Sequence, residues 1–176
     1  KAINEKLIYQ TITGREELLP NASTSAQNWK YTTLKPPYDW INADFKDTAW
    51  NIGKAGFGSG TPPNSFINTE WNTSDIWLRK DFKLGKVIPA DLDNLSFQIY
   101  YDEDYEIYIN GILVMSAKGH SSNYVTIPLN VVAQKALKPN GVNTIAVHCR
   151  QTSGGQFIDV GLFKVNYSPD SRWFTK

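Results

Sequence analysis

Most of the side chains that could do chemistry in this chain fall in four places. Asp102, Glu103 and Asp104 are consecutive carboxylates, followed by Glu106. Arg79 sits in Ile76-Trp77-Leu78-Arg79-Lys80. His148 and Arg150 flank the single cysteine, Cys149, and Gln151 and Gln156 bracket Thr152-Ser153-Gly154-Gly155. Two carboxylates can hydrolyse a glycosidic bond when they flank it from opposite sides. Neighbours on one strand turn do not straddle a bond easily, so the acidic run argues against glycosidase chemistry. As metal ligands the same carboxylates are the weakest reading, because Ca²⁺ wants roughly six to eight oxygens and the EF-hand spacing is absent. Structural ion pairing comes first and ligand contact second. Arg79 is the natural partner: its guanidinium can take a carboxylate in a bidentate fork. The expected pair is with Asp102 or Asp104, and the alternative is an Arg on a bound ligand. A Cys149–His148 nucleophile pair is excluded because adjacent strand residues point to opposite faces. With only two His in the chain, a metal role for His148 is weak as well. The sequence therefore assigns no metal site and no cofactor, with a structural Ca²⁺ kept as a minor alternative.

These residues need elements to position them, and period-2 alternation supplies them. Ile76 and Leu78 share one face of a strand with Phe82, and Trp77 shares the other with Arg79. Leu95, Phe97 and Ile99 alternate with Ser96 and Gln98. Tyr105, Ile107 and Ile109 alternate with Glu106, Tyr108 and Asn110. Asn110-Gly111 is a strong hairpin signal, since both residues tolerate positive φ. Ile145, Val147 and Cys149 form another alternating set, as do Ile158, Val160 and Leu162. One helix is expected near Asn130–Leu137, from the stripe Leu129, Val132, Ala133, Ala136 and Leu137. Asn130 is its N-cap and Pro139-Asn140-Gly141 its stop. Gly53–Gly60 is glycine-rich but lacks the Gly-Lys-Ser/Thr ending of a phosphate loop. Thr61–Trp71 reads as a long Pro/Asn/Ser loop able to contact a ligand. The boldest ligand candidate is Trp71, an exposed stacking platform outside the strand alternation; the bland alternative is a plug over one end of the sandwich. These elements predict an all-β, two-sheet antiparallel β-sandwich with one short helix.

Composition narrows the function classes. The chain has 176 residues, with 18 basic and 17 acidic side chains and a formal net charge of +1. That balance excludes electrostatic attraction to nucleic acid as a main function. Aromatic residues make up 13%, including six Trp, which suits both strands and binding faces. No apolar run approaches the roughly 20 residues of a membrane-spanning helix. One cysteine permits no intrachain disulfide. No signal peptide is visible, and a start at Lys1-Ala2-Ile3 without Met points to trimming.

The strand motifs carry a resemblance. Asp44–Trp50 (DFKDTAW) is similar to an F-D-D-S-x-W segment whose Phe and Trp plug one end of a sandwich core. Trp77-Leu78-Arg79-Lys80 resembles a W-L-R-R/K strand. Glu106–Gly111 resembles an E-V-Y-I-N-G hairpin. Ala146–Leu162 (AVHCRQTSGGQFIDVGL) resembles a stretch in accessory domains of secreted, mainly bacterial hydrolases. Together they look like the galactose-binding-like β-sandwich, of jelly-roll type, found as the sugar-binding domain of family 2 glycoside hydrolases. The resemblance spans roughly Trp29–Val165. It implies an N-terminal extension over 1–28, a sandwich over 29–167 and a tail or linker over 168–176. It also implies a non-catalytic carbohydrate-binding or substrate-positioning module of a larger glycoside hydrolase-type protein. Its partners would be carbohydrate or an adjacent catalytic domain of the same polypeptide, and its location periplasmic or extracellular. The ligand-binding candidates are Trp71, Arg79, Asp102, Asp104, His148, Gln151 and Gln156. Two other readings stand beside this one: an architectural domain that packs on a catalytic neighbour and binds no sugar, and a small hydrolase using Asp102 or Asp104.

Overall fold

The computed structural model describes the backbone of residues 4–175 and the side chains of residues 12–167. The opening Lys1-Ala2-Ile3 lies outside the described residues. In chain order the strands are β1 (Asn4–Leu19), β2 (Asn28–Thr32), β3 (Asn51–Lys54), β4 (Phe57–Ser59), β5 (Thr69–Glu70), β6 (Asp75–Lys83), β7 (Leu95–Asp102), β8 (Asp104–Ile109), β9 (Ile112–Ala117), β10 (Val125–Pro128), β11 (Val142–Arg150) and β12 (Gln156–Thr175). One α-helix, α1 (Val131–Ala136), lies between β10 and β11, and two short 3₁₀ turns span Tyr38–Ile41 and Pro89–Asn94.

The strands form two sheets. The first runs β10-β7-β12-β4-β5, with β1 also on β12. The second runs β3-β2-β6-β11-β8-β9 and is antiparallel throughout. In the first sheet only β4 and β5 are parallel. Strand β12 is central to it. One of its edges pairs with β7, and the other pairs first with β4 and then with β1. The terminal stretch without periodicity in the sequence thus continues β12 as far as Thr175, opposite Asn4.

The alternating apolar sets meet between the sheets. Phe97 and Ile99 of β7 and Ile158, Val160 and Leu162 of β12 face Ile76 and Leu78 of β6, Ile107 and Ile109 of β8, and Ile145, Val147 and Cys149 of β11. The expected hairpin is present, with Asn110 at φ 50° and Gly111 at φ 87° joining β8 to β9. The helix is present too. Asn130 Oδ1 accepts from Ala133 N at 2.8 Å, and Leu129, Ala133 and Leu137 are buried. Val132, counted in the apolar stripe, faces solvent instead, because only one narrow side of this short helix meets the sandwich. The glycine-rich stretch makes two strands. Gly56, at φ +88°, passes so close to the Phe66 carbonyl that a Cβ would overlap it.

Two buried polar groups tie irregular segments to the sheets. Asn143 is fully buried at the start of β11. Its Oδ1 accepts from Lys138 N and Asn110 Nδ2, and its Nδ2 donates to the carbonyls of Lys138 and Gly141. It thereby fastens the loop after α1 to the β8–β9 hairpin. Asn143→Ala leaves these groups unpaired and should cost about 2–3 kcal/mol in urea denaturation.

On the outer face of the first sheet, Asp159 Oδ2 accepts from Ala22 N at 2.7 Å and Tyr124 OH at 2.6 Å. Burial pushes the Asp159 carboxyl up to about 6, partly offset by the hydrogen bonds from Tyr124 and Ala22. The folded chain therefore holds this proton more tightly than the unfolded chain, where Asp titrates near 4. The resulting stabilisation, on the order of 2–3 kcal/mol, is fully present below about pH 4 and is lost as pH rises to about 6. Asp159→Asn should flatten this part of the stability profile and leave stability at pH 7.5 equal to or above that of the parent. Urea midpoints measured across pH 4–8 check both.

Candidate functional site

The strand register builds a concave site at one end of the sandwich. Phe157 pairs with Asp102 across β12 and β7, while Gln156 pairs with Ser59 across β12 and β4. A backbone bridge joins Asp102 to His120. Four segments distant in sequence are thereby set side by side: Gly60–Pro63 after β4, the Asp102-Glu103 turn, His120–Ser122 before β10, and Ser153–Gly155 before β12. They enclose an open cavity of about 660 Å³ with Tyr100 in its wall.

Asp102 is the pivot of this site. Its peptide bond to Glu103 is cis. Its side chain lies so close against Gly155 that a Cβ there would overlap Oδ2. Burial raises its carboxyl above the usual carboxylate range; His120 nearby opposes the shift and Glu103 adds to it. Glu103 Oε1 lies 3.5 Å from Ser153 Oγ, a weak contact. One donor atom each from Asp102, Glu103 and His120 lie within 4.8 Å of one another, so these residues could hold a cation. Tyr100 is buried, and its hydroxyl donates to Pro63 O at 2.7 Å, which pins the proline loop to the cavity.

The residues singled out in the sequence end in different places. Asp102 lines the cavity. Gln151 lies on the adjoining turn and donates from Nε2 to Gly154 O at 3.1 Å. Gln156 is buried behind it, with Nε2 on Thr73 O and Oε1 accepting from Ser59 Oγ. Asp104 caps a turn by accepting from Gly119 N at 2.8 Å. Together with His148, it lines a separate hollow of about 400 Å³ along β8, β9 and β11. His148 stacks flat on Trp77 (4.8 Å between ring centroids, 5° between planes), and its Nε2 lies 2.8 Å from Asp75 Oδ1. Burial pushes the Cys149 thiol up, so it is no ready nucleophile.

Three expectations need correction. Trp71 is not an exposed platform but 1% exposed, packed in the main core with Nε1 donating to Thr73 Oγ1 at 3.1 Å. Its backbone N–H bonds to Gly58 O, and this draws the residue inward. Arg79 pairs with neither Asp102 nor Asp104. It points to the outer face of the second sheet, 2% exposed, where Nε bonds Asp47 Oδ2 at 3.0 Å and Nη1 donates to the carbonyls of Trp40 and Asn42. Asp102 lies in the other sheet, beyond its reach. Phe45 and Trp50 do not plug an end of the core. They cover that same outer face with Trp40, against Trp77 and Ala146. Arg79→Ala should therefore destabilise by about 2–4 kcal/mol, since the Asp47 carboxylate and two carbonyls lose their donor. In double-mutant cycles by chemical denaturation, Arg79 should couple to Asp47 by about 1 kcal/mol or more and to Asp104 not at all.

Glu103 of the cavity belonged to the acidic run read from the sequence but not to its ligand-binding set, and His120 was not singled out at all. His120 follows a glycine turn in a stretch without periodicity, and nothing local to it signals the backbone bridge to Asp102.

No protein-family model matches the sequence, and no curated protein matches it. Solved structures do match in fold. The chain superposes on a β-glucuronidase of Bacteroides uniformis with a TM-score of 0.59 at 16% identity, over 85% of this chain and 18% of that one. A family 2 glycosyl hydrolase of Bacteroides cellulosilyticus gives 0.55 at 14% identity, over 81% and 20%. A β-glucuronidase of Bifidobacterium dentium, complexed with coumarin-3-O-glucuronide, gives 0.53 at 12% identity, over 89% and 31%. This chain shares with part of these enzymes the fold of an all-β, two-sheet sandwich with one short helix. The sandwich spans about a fifth to a third of the length of these neighbours.

Proposed function

We propose that this sandwich is a non-catalytic accessory module of a larger, exported glycoside hydrolase-type protein, and that it binds or positions carbohydrate in the cavity at Asp102. The observation that carries this reading is the cavity itself: the Asp102 and Glu103 carboxylates, the His120 imidazole, Ser122 and Ser153 line it. Carboxylates accept from sugar hydroxyls, and serine hydroxyls both donate to and accept from them. The fold shared with part of several glycosidases is consistent with a module of such a protein. Hydrolysis by this cavity is disfavoured: Asp102 and Glu103 are chain neighbours on one wall, whereas a glycosidase needs carboxylates on opposite sides of the bond. The architectural reading draws on a different feature. Ile112 and Leu113 of β9 and Val131 and Val132 of α1 are exposed apolar side chains on two elements that pack together, a surface suited to a neighbouring domain.

Calorimetric titration with mono- and oligosaccharides in EDTA-containing buffer separates the two readings. A neutral sugar should bind with Kd of roughly 0.1–1 mM, about −4 to −5.5 kcal/mol. Uronates should bind more weakly, because both carboxylates repel them. Asp102→Asn and Glu103→Gln should each weaken binding about tenfold. Absence of any binding at millimolar sugar would reject the carbohydrate reading in favour of the architectural one.

A further inference from the structure

The cavity holds an electrostatic imbalance that sugar hydroxyls do not resolve. Asp102 and Glu103 place two carboxylates side by side. Among the described residues, the Asp102 carboxylate has no hydrogen-bond donor and no ion-pair partner, and Glu103 has only the long contact to Ser153. The other acidic groups near by are served differently. Asp104 accepts a backbone N–H, Asp75 meets His148, and Asp47 meets Arg79. Asp102 is instead partly desolvated, fixed against Gly155, and aimed with Glu103 at the imidazole of His120. These donors come from two segments joined by the Asp102–His120 backbone bridge, so they are brought together by the sheet rather than by a free loop.

We propose that Asp102, Glu103 and His120 form a binding site for a divalent transition-metal cation of the Zn²⁺ class at the cavity wall. This inference stands apart from sugar binding. The donor set selects the ion. An imidazole with two carboxylates suits zinc, whereas calcium takes oxygen ligands almost alone, and more of them. Three protein ligands leave a fourth position open to the cavity, the arrangement in which zinc keeps a water or another oxygen ligand. The donor atoms, up to 4.8 Å apart, would draw together by about 1 Å to reach zinc–ligand distances near 2.0–2.2 Å. His120 is exposed and its ring can swing inward to do so. A bound dication would offset both carboxylates and reverse the cavity's preference, so that anionic oxygens become acceptable ligands.

The test uses the untagged chain, stripped with EDTA and then dialysed free of it. Titration with Zn²⁺ alone should give one equivalent bound with Kd of about 1–10 μM. Co²⁺ at the same site should give the intense visible absorption of a four-coordinate N/O centre. His120→Ala removes an exposed side chain and should leave the far-UV circular dichroism unchanged while weakening Zn²⁺ at least tenfold. Asp102→Asn, equal in shape, should do the same. His148→Gln should change nothing. Several results would overturn the proposal: no saturable Zn²⁺ binding, binding that survives His120→Ala, or binding lost in His148→Gln, which would place the ion at Asp75 and His148. One equivalent of Ca²⁺ bound more tightly than Zn²⁺ would overturn the choice of ion. Because Zn²⁺ is titrated without sugar and sugar without metal, each reading can fail alone.

Discussion

The register of β12 against β7 and β4 is the constraint on which the rest of this molecule depends. Phe157 opposite Asp102 and Gln156 opposite Ser59 set three chain segments at one end of the sandwich. A strand's side chains alternate faces, so a slip of one residue would turn Ile158, Val160 and Leu162 out of the core. The cost of exposing that apolar face holds the register, and the register in turn holds the cavity. Close backbone approach reinforces it. A Cβ at Gly58 would overlap the Gln156 carbonyl, and one at Gly155 would overlap the Asp102 carboxylate. Only glycine allows the strands and turns to meet at these distances.

The second sheet has a different organiser. Its outer face carries Trp77, Arg79, Ala146 and His148, which alternate with the core residues of β6 and β11. The segment from Tyr38 to Trp50 has little regular structure of its own, and Arg79 holds it by binding Asp47 and two of the segment's carbonyls. A buried guanidinium is tolerated because its donors are spent on oxygens of that cover. The Phe45 ring lies over the guanidinium and packs on Trp50, while Asp47 stays partly open to water. One cation thus converts an irregular loop into part of the fold, and in doing so it is removed from any ligand site.

The two ends of the chemistry are accordingly separate. Groups on the outer face of the second sheet are paired with one another: Arg79 with Asp47, His148 with Trp77 and Asp75, Glu106 with Tyr108. Among the described residues, the charged groups at the cavity are not. Asp102 and Glu103 face open space with little local compensation, and unpaired, partly desolvated carboxylates are where a ligand or ion gains most. This contrast, rather than the fold shared with parts of several glycosidases, singles out the cavity as the candidate site.

Much of this architecture was legible in the sequence because it rests on local rules. Period-2 alternation marked the core strands, Asn110-Gly111 marked a hairpin, and Asn130 marked the start of the helix. Those signals depend on backbone conformation and solvent exposure, which neighbouring residues settle among themselves. The Asp102–Asp104 turn and the Gln151–Gln156 turn could be read as turns and as ligand candidates, while the pairing of β12 with β7 is what sets them at one cavity. Which strand lies beside which was not encoded locally. The alternation of Trp77 and Arg79 showed that they share a face but not that residues 38–50 would cover it, so the partner of Arg79 was mistaken. Trp71 follows a polar loop and carries no periodic signal. Its burial follows from a backbone bond to Gly58 that exists only once β4 and β5 are paired. His120 meets Asp102 for the same kind of reason. The chain's own alternation determined the strands and the faces they bury. Long-range pairing alone decided which charges meet, because Coulombic and hydrogen-bond partners are chosen by distance in space, and that distance is set after the sheets have closed.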